Sequence, residues 1–177
     1  MSISLYDATV PSFLQILGAA SGMIDKAEVH CAEKNIEEKV LLGAHFGEDM
    51  LPLSWQLKWL STHSVGAIKG VRAGLFQPDR SPPAETLAAF REQIHTSIAA
   101  LKTVSRDEME GFIGNDMIFS VPAMNLELPF TAENFLLSFS LPNFYFHATT
   151  AYDLLRDQGV SIGKRDFLGA MRIKMPA

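Results

Sequence analysis

Apolar residues recur at intervals of three and four along most of the chain, and the breaks in that rhythm mark off four long segments. Between residues 5 and 34, Leu5, Val10, Phe13, Leu14, Leu17, Met23, Ile24 and Ala27 form a stripe that predicts a first helix. Pro11 lacks an amide donor and crowds the preceding turn, so this helix is expected to kink there or to begin near Thr9. IEEKVLLGAHF (36–46) reads as a short helical or irregular connection. From Asp49 to Leu75 the stripe Leu53, Leu57, Leu60, Ala67, Ile68, Val71 and Leu75 predicts a second helix, with Pro52 in its first turn. QPDRSPPAE (77–85) is a loop, because adjacent prolines cannot continue a helix and push the residues before them to extended geometry. A third helix follows, carrying Leu87, Phe90, Ile94, Ile98 and Leu101 on one face.

Between Gly111 and Phe130 the period shortens. MIFSV (117–121) and NLELPF (125–130), separated by Pro122 and small residues, predict a hairpin whose second strand is confined to an edge by Pro129. Thr131 is a good N-cap, Glu133 suits the first turn, and Phe130 can staple onto Phe135, so a fourth helix is expected from Ala132 to about Gln158, ended by Gly159. The tail VSIGKRDFLGAMRIKMP reads as irregular, anchored by Ile162, Phe167 and Leu168, with KRDF tying it to the helices. Four amphipathic helices around one core, in a single all-α domain across residues 1–177, is the architecture these elements predict.

A chain of 177 residues, 47% hydrophobic and 20% charged, is long and apolar enough to bury a core without disulfide or metal staples. The net charge of -5, without any run of Lys or Arg, argues against nucleic acid as a partner. Cys31 is the single cysteine, and the opening MSISLYDATVP lacks the basic and apolar regions of a secretory signal, so a cytoplasmic setting is expected. One stretch tests that expectation: residues 135 to 152 contain no Asp, Glu, Lys or Arg, which reaches the lower limit for a bilayer span. Pro142, Asn143, His147, Ser138, Ser140, Thr149 and Thr150 interrupt it, and no basic cluster flanks it, so a buried helix is expected rather than a membrane partner. Pro142 also takes the amide donor from the Ser138 carbonyl, which predicts a kink.

Within that helix Asn143, His147 and Thr150 stand at i, i+4 and i+7, a polar line on one face. On the second helix Asp49, Gln56 and His63 are spaced by sevens beside the apolar stripe. The two lines are candidates to meet inside the fold. His30, His45 and His95 lie beside charged or loop-like segments and are expected at the surface, and Cys31 has no spaced partner. No nucleophile elbow, phosphate loop, dinucleotide fingerprint or zinc-protease pattern is present.

The tail LPNFYFHATTAYDLLRDQGVSIGKRDFLG, the opening SLYDATVPSFL and the hairpin before the last helix together resemble an uncharacterised, domain-of-unknown-function branch of the DinB/YfiT-like metalloenzyme superfamily. The resemblance covers nearly the whole chain. It implies a four-helix bundle with a long crossover connection, and a divalent metal such as zinc, nickel or manganese held by three histidines. One comes from the second helix and two from an H-x-x-x-H pattern in the fourth. His147 falls on the second position of that pattern, but Asn143 stands on the first. On the second helix the expected position lies nearer Gln56, whereas the histidine there is His63, two turns on. Amide oxygens are weak ligands for such metals, so a degenerate site is expected. A self-satisfied Asn–His–Gln cluster, an altered metal site and a small-molecule pocket all remain open. The leading expectation is a ligand-binding or structural homodimer, the surplus of aromatics on the fourth helix suggesting the partner. The alternative is a divalent-metal-dependent transferase or hydrolase acting with a thiol cofactor.

Overall fold

Ser4 opens the first element. Its hydroxyl accepts from the Asp7 amide while the Asp7 carboxylate accepts from the Ser4 amide, and this reciprocal cap starts α1 (Leu5–Lys34). The helix therefore begins before Thr9 and runs through Pro11. The carbonyl that Pro11 leaves without its usual donor is that of Asp7, in a first turn open to water. The computed structural model describes residues 3–174; residues 1–2 and 175–177, the ends of the expected domain, lie outside the described residues.

The connection after α1 holds a single helical turn, α2 (Glu38–Leu42). The second long helix, α3, is built from Leu53–Ser61, a π-helical segment Thr62–Gly66, and Ala67–Ala73. It starts later and stops earlier than expected: Pro52 is its N-cap in extended geometry, and Gly74 ends it at a φ of 68°. Leu75 and Phe76 then leave the helix and form β1 (Leu75–Phe76). Gly70 makes this possible, since a Cβ there would lie 2.9 Å from the Phe76 Cβ. After the proline loop come α4 (Leu87–Lys102), capped by Thr86, and a short α5 (Arg106–Glu110), capped by Ser105, which the periodicity did not reveal.

The hairpin is present as β2 (Asp116–Val121) and β3 (Leu126–Thr131), antiparallel with Ile118 opposite Pro129. β1 adds to the other side of β2 in parallel, Phe76 beside Phe119, so the order is β1-β2-β3 and Pro129 sits on an edge strand as its missing donor requires. Helices make up 65% of the described residues, and β1 extends the expected hairpin into a small three-stranded sheet, so the fold is mostly helical. β1 escaped notice because two residues are too short to show a period.

The last long helix, α6, joins Ala132–Asn134, a π-helical segment Phe135–Ser140 and Leu141–Asp157. Thr131 is its N-cap by backbone geometry, but its hydroxyl makes no capping bond, while Phe130 and Phe135 pack edge-to-face 5.9 Å apart. Just before Pro142 the helix widens: the Leu141 amide donates to the Leu136 carbonyl, five residues back. Widening to π spacing is one way a helix absorbs a missing donor. Gly159, with a φ of 84°, follows the helix end as expected. The KRDF tail is helical rather than irregular, forming α7 (Lys164–Leu168). It is held by Lys26 to Asp166 at 2.7 Å, by the Gln15 amide to the Leu168 carbonyl at 2.8 Å, and by Phe167 on Tyr152.

α1 packs against α4 and α6, and α3 packs against the same two helices. Phe13, Phe90, Phe135 and Phe144 fill the space between the helices. Among the described residues no helix is long and apolar enough to cross a membrane.

Candidate functional site

The seam between α3 and α6 is where the two predicted polar lines meet, although not in full. Gln56, His63 and His147 come together, with Asn143 on the same wall. Asp49 does not join them, because it precedes α3 in an exposed turn. Thr150 is buried and spends its hydroxyl on the Phe146 carbonyl of its own helix.

Gln56 decides the state of His147. Its amide nitrogen donates to the Leu51 carbonyl at 2.8 Å, which turns its oxygen toward His147 Nδ1 at 2.7 Å. An amide oxygen can only accept, so the proton of the neutral imidazole resides on Nδ1 and Nε2 keeps a bare lone pair. Burial pushes His147 down to about 4. Burial also pushes His63 down to about 3, with neighbouring His147 adding to the effect. Both rings are uncharged at neutral pH, which lets them lie 5.5 Å apart and within 18° of parallel without repulsion. Trp59 stacks on the same pair, 5.9 Å from His147 and 5.7 Å from His63.

The two π-helical segments shape this seam. Thr62–Gly66 contains His63, and Phe135–Ser140 lies just before Asn143. They are joined directly, since the buried Ser140 hydroxyl donates to the His63 carbonyl at 2.9 Å. A π segment frees a carbonyl from the helical ladder, and a hydroxyl on the facing helix claims it here. The sheet closes one side, with Phe119 against Phe139 at 4.7 Å and Phe76 against His63 at 5.8 Å.

Between these walls lies a cleft of about 270 Å³ lined by Trp59, His63, Asn143, His147, Phe119 and Phe139, with Arg80 reaching it from the proline loop. Buried His63 Nδ1 and Trp59 Nε1 have no hydrogen-bond partner. Trp59 and Arg80 were missed as site residues. Trp59 lies three after Gln56 and four before His63, a spacing that puts all three on one helix face and could have exposed it. Arg80 carried no such signal, because it belongs to a loop.

The donor set does not fit the three-histidine metal centre. Gln56 Oε1 is committed to His147, and Asn143 spends its amide nitrogen on the Phe139 carbonyl at 2.7 Å. Two imidazoles and one spare amide oxygen leave the set without a third strong ligand. Among the described residues no group of three or more His, Cys, Asp or Glu side chains converges as a metal site. The other histidines stand apart from the cleft: His45 is exposed, His95 meets Ser21 at 2.9 Å, and His30 is half-buried rather than fully at the surface.

Comparison with known proteins agrees with the fold. The model of a domain of unknown function, DUF1993, matches residues 5–168. The chain belongs to the DUF1993 family. A crystal structure of a DinB family member protein from Shewanella denitrificans is similar to it, at 30% identity over 97% of this chain and 96% of that one, with a TM-score of 0.79. DUF1993 thus stands here as an uncharacterised DinB-like branch. No curated protein matches the chain.

Proposed function

We propose that this DUF1993 chain is a DinB-like single-domain bundle of four helices with a long crossover, whose degenerate metal site serves as a small-molecule cleft. The observation that carries this reading is the cleft's unspent hydrogen-bonding capacity. His63 Nδ1 and Trp59 Nε1 lack partners, and His147 is held with Nε2 bare. A purely structural cluster would satisfy itself, because an unpaired buried polar group costs roughly 1–3 kcal/mol. The reading sets the chain in the cytoplasm, in keeping with one buried cysteine. It also makes the chain a homodimer, with Leu137, Tyr145 and Phe146 exposed along α6 as the apolar contact.

Native mass spectrometry of untagged protein tests the cleft, with a co-purifying small molecule displaced by Trp59→Ala as the expected result. Light scattering tests the dimer, and a monomer across a wide concentration range would remove it. A second reading, a divalent-metal-dependent transferase or hydrolase using a thiol, draws on the Gln56–His147 bond, since metal-bound histidines commonly give their second N–H to such an acceptor. Elemental analysis after loading with zinc, nickel or manganese separates the two. Stoichiometric metal lost on His147→Ala would favour the second reading over the first.

A further inference from the structure

We propose that the cleft takes a small amphipathic anion, its carboxylate or phosphate held by Arg80 and its apolar body lying against Trp59, Phe119 and Phe139. The inference rests on the cleft being a ligand site, and it adds the chemistry of the ligand.

Charge is the first ground. Among the described residues Arg80 is the one permanently charged residue lining the cleft, and no carboxylate lines it. Among the described residues Arg80 makes no ion pair. The nearest acid in sequence, Asp79, is occupied elsewhere: it accepts from the Ser81 amide at 2.8 Å and pairs with Lys58 at 3.1 Å. The guanidinium is thus left with its charge and its planar fork of donors unspent, which suits a carboxylate or phosphate.

The second ground is how the loop is held. Lys58 is only 3% exposed, an unusual placement for an ammonium group. It reaches the Ser81 hydroxyl at 3.0 Å and the Ser81 carbonyl, with Trp55 beneath it at 5.2 Å. Both neighbours of Arg80 in sequence are therefore pinned to α3 by one buried cation. A loop that merely joined two helices would not need such an anchor. Here the anchor fixes a cation beside a cleft whose imidazoles are kept neutral and whose remaining walls are mostly apolar, Trp59, Phe119 and Phe139 among them.

Size and wall chemistry supply the third ground. A cleft of about 270 Å³ lies just below the range of pockets that hold drug-sized molecules. One aromatic ring with a short acidic arm fills such a space. The bare Nε2 of His147 can accept from a hydroxyl or amine on that body.

Titration of the full chain with phenylacetate, phenyl phosphate, phenylacetamide and phenethylamine, followed on the Trp59 indole N–H signal by NMR, tests this. Phenylacetate or phenyl phosphate should bind at least about tenfold tighter than phenylacetamide. Whichever of the two is tighter identifies the head group. Phenethylamine should be the weakest. Arg80→Gln, at an exposed position, should bring the anion down to the amide's level without changing Tm. Equal affinity for phenylacetate and phenylacetamide, preference for the amine, or an anion preference that survives Arg80→Gln overturns the proposal and leaves the cleft standing. If none of the four moves the Trp59 signal, the anion proposal and the ligand-cleft reading both fall.

Discussion

The α1 face and the α3–α6 seam follow opposite rules. α1 is a regular helix of 30 residues with a reciprocal cap, and its charges are matched by partners on other helices: Asp7 by Arg106, Asp25 and Glu28 by Arg91, and Asp166 on α7 by Lys26. The seam is broken by two π-helical segments and buries His63, Gln56 and Lys58. Sequences that specify a fold well satisfy local rules nearly everywhere, and departures gather where a site has been built. The contrast within one chain is what singles out the seam as the candidate site.

Acid should break the seam first. The two imidazoles are held at about 3 and about 4, below the ordinary value of 6.5, so between pH 8 and pH 5 the unfolded chain binds protons that the folded one refuses. Stability is then fully present above about pH 6.5 and lost as pH falls, by roughly 2 kcal/mol per imidazole at pH 5, or about 4 kcal/mol for the pair. The α1 face loses its contribution in the same direction but only at lower pH. Arg106 beside Asp7, and Lys26 beside Asp166, hold those carboxyls below the usual range, so their contribution is present above the ordinary carboxylate pKa and survives at pH 5. Urea denaturation at pH 8, 6.5 and 5 should show the decline, and His63→Gln should roughly halve it. A flat profile would mean that the imidazoles are not buried as described.

The same substitution should have opposite signs in the two regions. Gly70→Ala on α3 drives a Cβ to 2.9 Å from Phe76 and should cost about 2 kcal/mol, the added methyl outweighing better helix propensity. Gly22→Ala on α1 meets nothing within 4 Å and should stabilise by about 0.5–1 kcal/mol. Thermal melts of both variants give the comparison directly, and equal signs would erase it.

Ser140→Ala isolates the link between the two π-helical segments. It leaves the buried His63 carbonyl without the hydroxyl that donates to it at 2.9 Å, at a cost of about 1–2 kcal/mol. Beyond stability, the His63 ring resonances should shift in NMR while those of α1 stay in place. A variant as stable as the parent, with unmoved His63 signals, would show that the two segments are independent.

How much of this was legible in the sequence follows the same division. The α1, α4 and hairpin assignments rest on long periods, and Pro129 and Gly159 stand where their turn and edge signals put them. Gln56, His63, Asn143 and His147 could be gathered as candidates because helical spacing puts them on inward faces. Their division of labour could not. It depends on the Gln56 amide being turned by the Leu51 carbonyl, a contact made by a residue outside the helix. β1 and the π-helical segments were invisible for a related reason. A two-residue strand exists only through its partner β2, and the π widening at Ser140 is met by a carbonyl on a different helix. Arg80 is the extreme case, brought to the cleft by the Lys58–Ser81 anchor rather than by any pattern of its own.

The smallest effect should come from an exposed ion pair of the α1 face. Lys26 and Asp166 pair at 2.7 Å, yet their side chains are 48% and 30% exposed. Exposed pairs gain little because water and salt screen them and two long side chains must be ordered, so Lys26→Gln should cost no more than about 0.5 kcal/mol. α7 is also held by Gln15 on the Leu168 carbonyl and by Phe167 on Tyr152, contacts that salt does not screen. The variant should therefore melt within a degree or so of the parent in 0.5 M salt, where the pair is already quenched. A loss above about 2 kcal/mol that persisted at high salt would mean that Lys26 is part of the core of that face.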